Sequence, residues 1–238
     1  MRFFENPGRS AGLWYLLLAI VGPVRLIYIP SKLIVSGDAA ETARRILAHE
    51  MLFRVGMAAD VLGAVVLIFV ALALYHLFEE VNRRWAVLVV ILGGVVPATI
   101  YFVNVAKDAA TLLLVKGAPF LAVFTQAQRE ALAYLFLRLH TLEIIADETI
   151  WGLWLLPLGA LVYRSGMMPR WIGVLLWLHG FAYIALSFTG ILGPQYVDAV
   201  SRYTTPIQFG EPVFMLWLVV VGTRERATTT ANADSLPE

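Results

Sequence analysis

Arg138-Leu-His140-Thr-Leu-Glu143-Ile-Ile-Ala-Asp147-Glu148 runs, through Thr149-Ile150, into Trp151-Gly-Leu-Trp154-Leu-Leu-Pro157-Leu-Gly-Ala-Leu-Val-Tyr163 with no turn signal between them. The stretch predicts one helix, polar at its mouth and apolar beyond it. At about 100° per residue, His140, Glu143 and Asp147 share an arc of roughly 60°, and Trp151 and Trp154 continue that face. Glu148 points elsewhere. The apolar part, from about Leu139 to Tyr163, is long enough to cross the hydrocarbon core of a bilayer.

The composition of the whole chain agrees. Of 238 residues, 60% are hydrophobic and only 15% charged, with a mean hydropathy of +0.76. A water-facing surface on a domain of this size needs more charge than that. A net charge of +1 makes no electrostatic case for a nucleic-acid partner, which requires clustered Lys and Arg. The chain has no cysteine, which excludes disulfides, thiol nucleophiles and thiolate-held metal centres. There is no Walker or dinucleotide glycine pattern, no set of histidine boxes and no Gly-x-Ser-x-Gly elbow, so no cofactor is expected.

Working outward, the chain reads as an all-α polytopic membrane bundle of six transmembrane helices, forming a single domain over residues 1–222. The spans are expected at Ala11 to about Ile29, Val55 to Phe78, Trp85 to Val105, Leu139 to Tyr163, Trp171 to Phe188, and Pro206 to Gly222. Two amphipathic helices, one capped by Ser36 or Asp38 and one by Thr125, are expected to lie on the outward side and continue into spans two and four. The stretch from Pro30 to Gly37 reads as a turn. Residues 223–238 are polar and aperiodic, which predicts a disordered cytoplasmic tail. Arg2, Arg9, Arg83, Arg84, Arg164, Arg170, Arg224 and Arg226 flank the short links and the termini. The positive-inside rule therefore puts both termini in the cytoplasm of a bacterium, with the protein in its cytoplasmic membrane.

Charged groups inside spans are costly, about 2.5–3.5 kcal/mol at a helix centre, and normally face a partner or a water-filled cavity. Arg25, Glu50, Arg54, Asp60, His140, Glu143, Asp147 and Glu211 all fall at the outward ends of their spans, which predicts an outward-facing polar cavity above an apolar plug. Glu50 and Arg54 have the i,i+4 order of an intrahelical ion pair. Asp60 shares a face with Gly56 and Gly63, as an interhelical hydrogen-bonding residue would. His140, Glu143, Asp147 and Glu211 supply donor types that suit a divalent metal. His179 sits mid-span among Trp177, Phe181 and Tyr183, as a histidine hydrogen-bonded within the bundle would. Glu211 precedes Pro212, which fits the first turn of a helix.

Leu33-Ile-Val-Ser-Gly37-Asp38-Ala39-Ala40-Glu-Thr42-Ala43, Glu50-Met-Leu52-Phe53-Arg54-Val-Gly56 with Asp60, Leu139-His140, Tyr163-Arg164-Ser165-Gly166-Met-Met-Pro169-Arg170, and Gly210-Glu211 near Leu216-Trp217-Leu218 carry a resemblance. Over residues 11–222 the chain resembles a bacterial membrane family known as domain of unknown function 4386. The resemblance implies a six-span membrane protein and brings no assigned reaction. The reading is of a non-enzymatic membrane protein, partnered by the lipid bilayer, that binds or moves a small amphiphile, lipid headgroup or ion. Two alternatives stand beside it: a membrane-embedded metal-dependent enzyme using His140, Glu143, Asp147 and Glu211, and a structural or regulatory subunit.

Overall fold

The structure, a computed structural model, describes residues 6–223. Arg2, Arg224, Arg226 and the expected tail beyond Thr223 lie outside the described residues. All regular elements described are helical. Four continuous helical stretches are long and apolar enough to cross a membrane: Pro7–Leu33, Glu50–Lys116, Gln126–Ser165 and Arg170–Leu192.

Helix α1, Pro7–Leu33, starts where the Asn6 side chain accepts the Arg9 N–H at 3.1 Å, with Pro7 in the first turn. Proline suits that position because its missing N–H would have been unpaired anyway. From Val24 to Tyr28 the helix widens, and the Ile29 N–H bonds to the Val24 carbonyl five residues back. Pro30 follows at once. A proline crowds the carbonyl four residues before it and has no N–H to return. A wider turn just ahead of it relieves that conflict. The helix thus passes through Pro30 to Leu33 instead of ending at the expected Ile29. The same solution appears at Ile91–Val95, where Val96 bonds to the Ile91 carbonyl ahead of Pro97.

Helix α2, Ala39–Ala48, is capped by Asp38, whose carboxylate accepts the Glu41 N–H at 2.9 Å. Hydrogen bonds from Arg44 and then Arg45 hold the exposed Glu41 carboxyl down at about 2. The chain then breaks at His49 (φ −127°, ψ 42°). The expected uninterrupted passage from this segment into the second span is therefore not made: α2 stops, and a new helix starts at Glu50. Ile46 and Phe53, on either side of the break, enter one apolar cluster with Leu33 and Leu137.

The stretch Glu50–Lys116 holds the second and third expected spans. At Asn82 the backbone leaves helical geometry (φ −163°, ψ 102°), and the Asn82 side chain accepts the Trp85 N–H at 3.1 Å to start the return arm. The arms, α3 (residues 50–81) and α4 (residues 83–116), pack antiparallel. Gly94 lies against Ala71, and Gly63 lies against the Tyr101 ring. Helix α5, Gln126–Ser165, opens with a reciprocal Thr125–Gln128 capping box and ends at Gly166, whose φ of 68° is one that glycine adopts freely. Its 40 residues reach about 60 Å, roughly twice the thickness of a bilayer core. Helix α6, Arg170–Leu192, returns along it. Helix α7, Val197–Thr204, precedes α8, Gly210–Val220, whose 11 residues are fewer than the expected Pro206–Gly222. Thr205–Ile207 forms a tight 3₁₀ turn and delays the start of α8. Pro212 lies in the first turn of α8, where it costs no internal hydrogen bond.

Long helices that follow one another in the chain run antiparallel. Trp14 stacks on Phe69 at 4.9 Å between α1 and α3. Between α5 and α6, Gly152 faces Gly180 and Gly159 faces Gly173, close enough for the backbones to touch. Trp171 meets Trp217 between α6 and α8. The described ends of the chain meet: the Asn6 side chain donates to the Thr223 carbonyl at 3.0 Å and accepts the Thr223 N–H at 3.2 Å. The Asn82 hairpin tip lies at this same end, since the Arg164 guanidinium rests 4.5 Å over the Trp85 ring. The half of the bundle near the chain ends is filled by one apolar core that includes Leu74, Phe78, Leu158, Leu161, Phe214 and Leu218, all fully buried. Such burial of large apolar side chains leaves no route for water through that half.

Candidate functional site: a buried charge cluster and an aromatic cavity

The interior charges gather on α1, α3, α4 and α5, beyond the apolar core. Arg25, in the widened turn of α1, donates from Nε to Asp60 at 2.7 Å and from Nη2 to Asp108 at 2.5 Å. The two carboxylates sit on facing helices, so one guanidinium fork ties α1 to α3 and α4 together. His140 of α5 completes the group, with Nδ1 3.3 Å from Asp108 Oδ1. Arg25 Nη2 is 3.2 Å from Nδ1 and 3.4 Å from Nε2 of His140. Those near-equal distances put the guanidinium over the imidazole face and not in line with either ring nitrogen. Arg25 is 7% exposed, Asp60 and Asp108 2%, and His140 6%. A void of about 270 Å³ borders Arg25, Asp108 and His140.

Asp60 reaches this position because Gly56 and Gly63 flank it on α3. Gly56 lets the Ile29 side chain approach to 3.3 Å of where its Cβ would be, and Gly63 does the same for Tyr101 at 3.1 Å. The interhelical role expected of Asp60 is thus the one observed. Asp108, at the outward end of the third expected span, is a partner not among the eight candidate residues. It belongs to a polar stripe, Tyr101, Asn104, Asp108 and Thr111, whose three- and four-residue spacing gives one helical face. That spacing was the available signal.

A second, larger void of about 430 Å³ lies towards the apolar core and is separated from the first along α1 by Leu26, which borders both. All six long or span-like helices, α1, α3, α4, α5, α6 and α8, contribute to its wall. Glu211, from the first turn of α8, accepts the Tyr15 hydroxyl proton across the bundle. The Glu211 backbone N–H donates to His179 Nδ1 at 3.1 Å. That bond leaves the ring proton of a neutral His179 on Nε2, which has no hydrogen-bond partner. Trp154 Nε1 is likewise unpartnered. Its indole lies against Gly93, where any Cβ would fall 2.2 Å from Nε1, so only glycine admits the ring. Tyr15 and Trp154 face each other at 5.9 Å, and Trp151 meets Tyr183 edge-on at 5.8 Å. The expected hydrogen-bonded role of His179 is half realised, with one ring nitrogen engaged and the other buried without a partner.

The eight residues expected to share one cavity divide into separate groups. Arg25, Asp60 and His140 come together around Asp108. Glu50 pairs with Arg54 at 2.7 Å and with Lys116 at 3.0 Å on the exposed surface. The i,i+4 pair is the local one its spacing predicts, and it faces away from both voids. Glu143 pairs with Lys107. Asp147 is 4% exposed, and its Oδ1 lacks a partner. Glu211 stands in the larger void. The proposed metal set of His140, Glu143, Asp147 and Glu211 therefore does not meet at one point. Among the described residues no three His, Cys, Asp or Glu side chains gather in a way that would hold a metal ion. His140, Glu143 and Asp147 share one face of α5 but are strung over about 10 Å of its axis, and each meets different neighbours there, while Glu211 enters the larger void from α8.

Comparison with known proteins places this geometry in a family. The model of the family described as Domain of unknown function (DUF4386) matches residues 10–222. A protein of Archaeoglobus fulgidus, described as an uncharacterized protein, is 33% identical over 142 residues, which cover 57% of this chain and 80% of the relative. No solved structure matches.

Proposed function

The chain belongs to the DUF4386 family, and from that premise we propose that it is a multi-pass protein of a prokaryotic cytoplasmic membrane that binds or moves a small amphiphile. The guest occupies the 430 Å³ void beside Glu211. Six passes follow from α1, α3, α4, α5, α6 and, with the residues leading into it, α8. Arg9, Arg83, Arg84, Arg164 and Arg170 lie near the end where Asn6 and Thr223 meet, and that bias supports a cytoplasmic location for both termini.

One observation carries the reading. A single carboxyl, Glu211, enters a void walled mostly by aromatic and apolar side chains of all six long or span-like helices, Tyr15, Trp151 and Trp154 among them. An apolar wall with few polar groups is the arrangement that holds small molecules. The size also fits, since small-molecule cavities run from about 300 to 1,000 Å³.

Gly22 gives the test. It lines the cavity, and a Cβ there meets nothing within 4 Å. Gly22→Leu fills the space without a clash, and leaving glycine in a helix adds about 0.5–1 kcal/mol of stability. The expected result is loss of the amphiphile that co-purifies with the wild-type protein, read by native mass spectrometry, with thermal stability kept or raised. Equal occupancy in the wild type and the variant, or an empty wild type, would overturn the reading.

A further inference from the structure

Resting on the reading that the larger void holds an amphiphile, we propose that the ligand carries an alkylated ammonium group, seated on Glu211 among aromatic faces. Three independent features converge on that class. The first is charge. Asp60 and Asp108 are paired with Arg25, and Glu143 with Lys107, whereas Glu211 has the Tyr15 hydroxyl as its side-chain partner and no cationic partner among the described residues. An opposite charge nearby favours the ionised form of a carboxyl and a like charge disfavours it, so Glu211 selects a cationic guest over an anionic one.

The second is the wall. Tyr15, Tyr101, Trp151, Trp154 and Tyr183 all line the void with Glu211. Aromatic rings present negative faces, and a ring of them around a carboxylate is the arrangement that recognises an ammonium group made bulky by alkylation. A small metal cation is held instead by several carboxylate or carbonyl oxygens, and Glu211 is the one carboxylate among the lining residues. The third is the apolar bed for a chain: Leu18, Leu26, Leu67 and Met215 line the same void beside Glu211.

The test places the wild-type protein and its Glu211→Gln variant in phosphatidylglycerol nanodiscs, which contain no amine lipid. Binding of decyltrimethylammonium, decanol and choline is followed by native mass spectrometry. Gln retains the acceptor for Tyr15 and removes the charge. The expected result is one decyltrimethylammonium per wild-type chain, weakened roughly ten- to a hundredfold in the variant, with decanol bound more weakly and indifferent to the substitution. Trp151→Leu, which removes one ring and leaves the Tyr15–Glu211 contact, is expected to erase the preference for ammonium over alcohol and serves if Glu211→Gln does not fold. Choline bound as tightly as the decyl probe identifies a free ammonium ligand, and choline excluded identifies an ammonium-headed amphiphile; either supports the class. Decanol bound as well as decyltrimethylammonium, or an affinity untouched by both substitutions, overturns the ammonium assignment and leaves the cavity reading standing. Binding of every probe unchanged in Gly22→Leu overturns the cavity reading itself.

Discussion

Arg25→Met is expected to destabilise the protein by about 3–5 kcal/mol, because it leaves two buried carboxylates with no permanent cation. Methionine is close to the arginine stem in volume, so the loss reports charge rather than a hole. Asp60 and Asp108, each 2% exposed, would have to take up protons or draw water into the bundle, and either outcome loosens α1 from α3 and α4. Arg25→Lys is expected to recover only part of the loss. The native contacts leave from two different nitrogens, Nε to Asp60 and Nη2 to Asp108, and a single ammonium cannot reproduce that fork. The triple variant Arg25→Met/Asp60→Asn/Asp108→Asn removes every formal charge of the trio and is expected to regain most of the stability, since a buried ion pair contributes little net once its desolvation is counted. Denaturant unfolding in detergent measures all three. A single variant within about 1 kcal/mol of wild type, or a triple variant as unstable as the single, would show that the contacts are not coupled through charge.

Gly159→Leu is the second large effect, with an expected loss of 3 kcal/mol or more, at the upper end of overpacking penalties of about 1–3 kcal/mol. A Cβ at Gly159 would lie 2.8 Å from the Gly173 carbonyl oxygen and 2.8 Å from Trp177 Cδ1, while a Cβ at Gly173 would lie 2.6 Å from the Gly159 carbonyl oxygen. Backbone meets backbone at this crossing, so no flexible side chain can swing aside. Gly152 and Gly180 repeat the arrangement two turns away. Close approach through small residues is how helices associate where lipid removes the hydrophobic incentive. The alanine variant separates this cause from helix propensity by sign. Leaving glycine in an open helix position gains about 0.5–1 kcal/mol, as expected at Gly22. At Gly159 the same change is expected to lose about 1–2 kcal/mol. A stabilised Gly159→Ala would mean that α5 and α6 have room to part.

Features with short sequence separation were legible in the chain. The Asp38 and Thr125 caps, the Glu50–Arg54 pair and the first-turn placement of Pro212 each depend on residues within four positions of one another, where helix geometry alone decides who meets whom. Depth was legible too, because apolar run length measures distance along a span: Arg25, Asp60 and His140 were placed at one level, and they do meet. The rotation of each helix about its axis was not, since an apolar run surrounded by lipid has weak amphipathicity and no sharp polar face to orient it. Rotation is what gave Arg25 to Asp60 and Asp108, sent Glu143 to Lys107, turned Glu50 and Arg54 outward, and joined Tyr15 to Glu211 across 196 positions. The all-helical, apolar character, the approximate depths and the local pairs of this protein were thus determined by the sequence alone. The division of its interior charges into a locked cluster and an open aromatic cavity was decided only by the tertiary structure, through glycine contacts such as Gly56, Gly63 and Gly93 that fix how closely, and at what rotation, the helices pack.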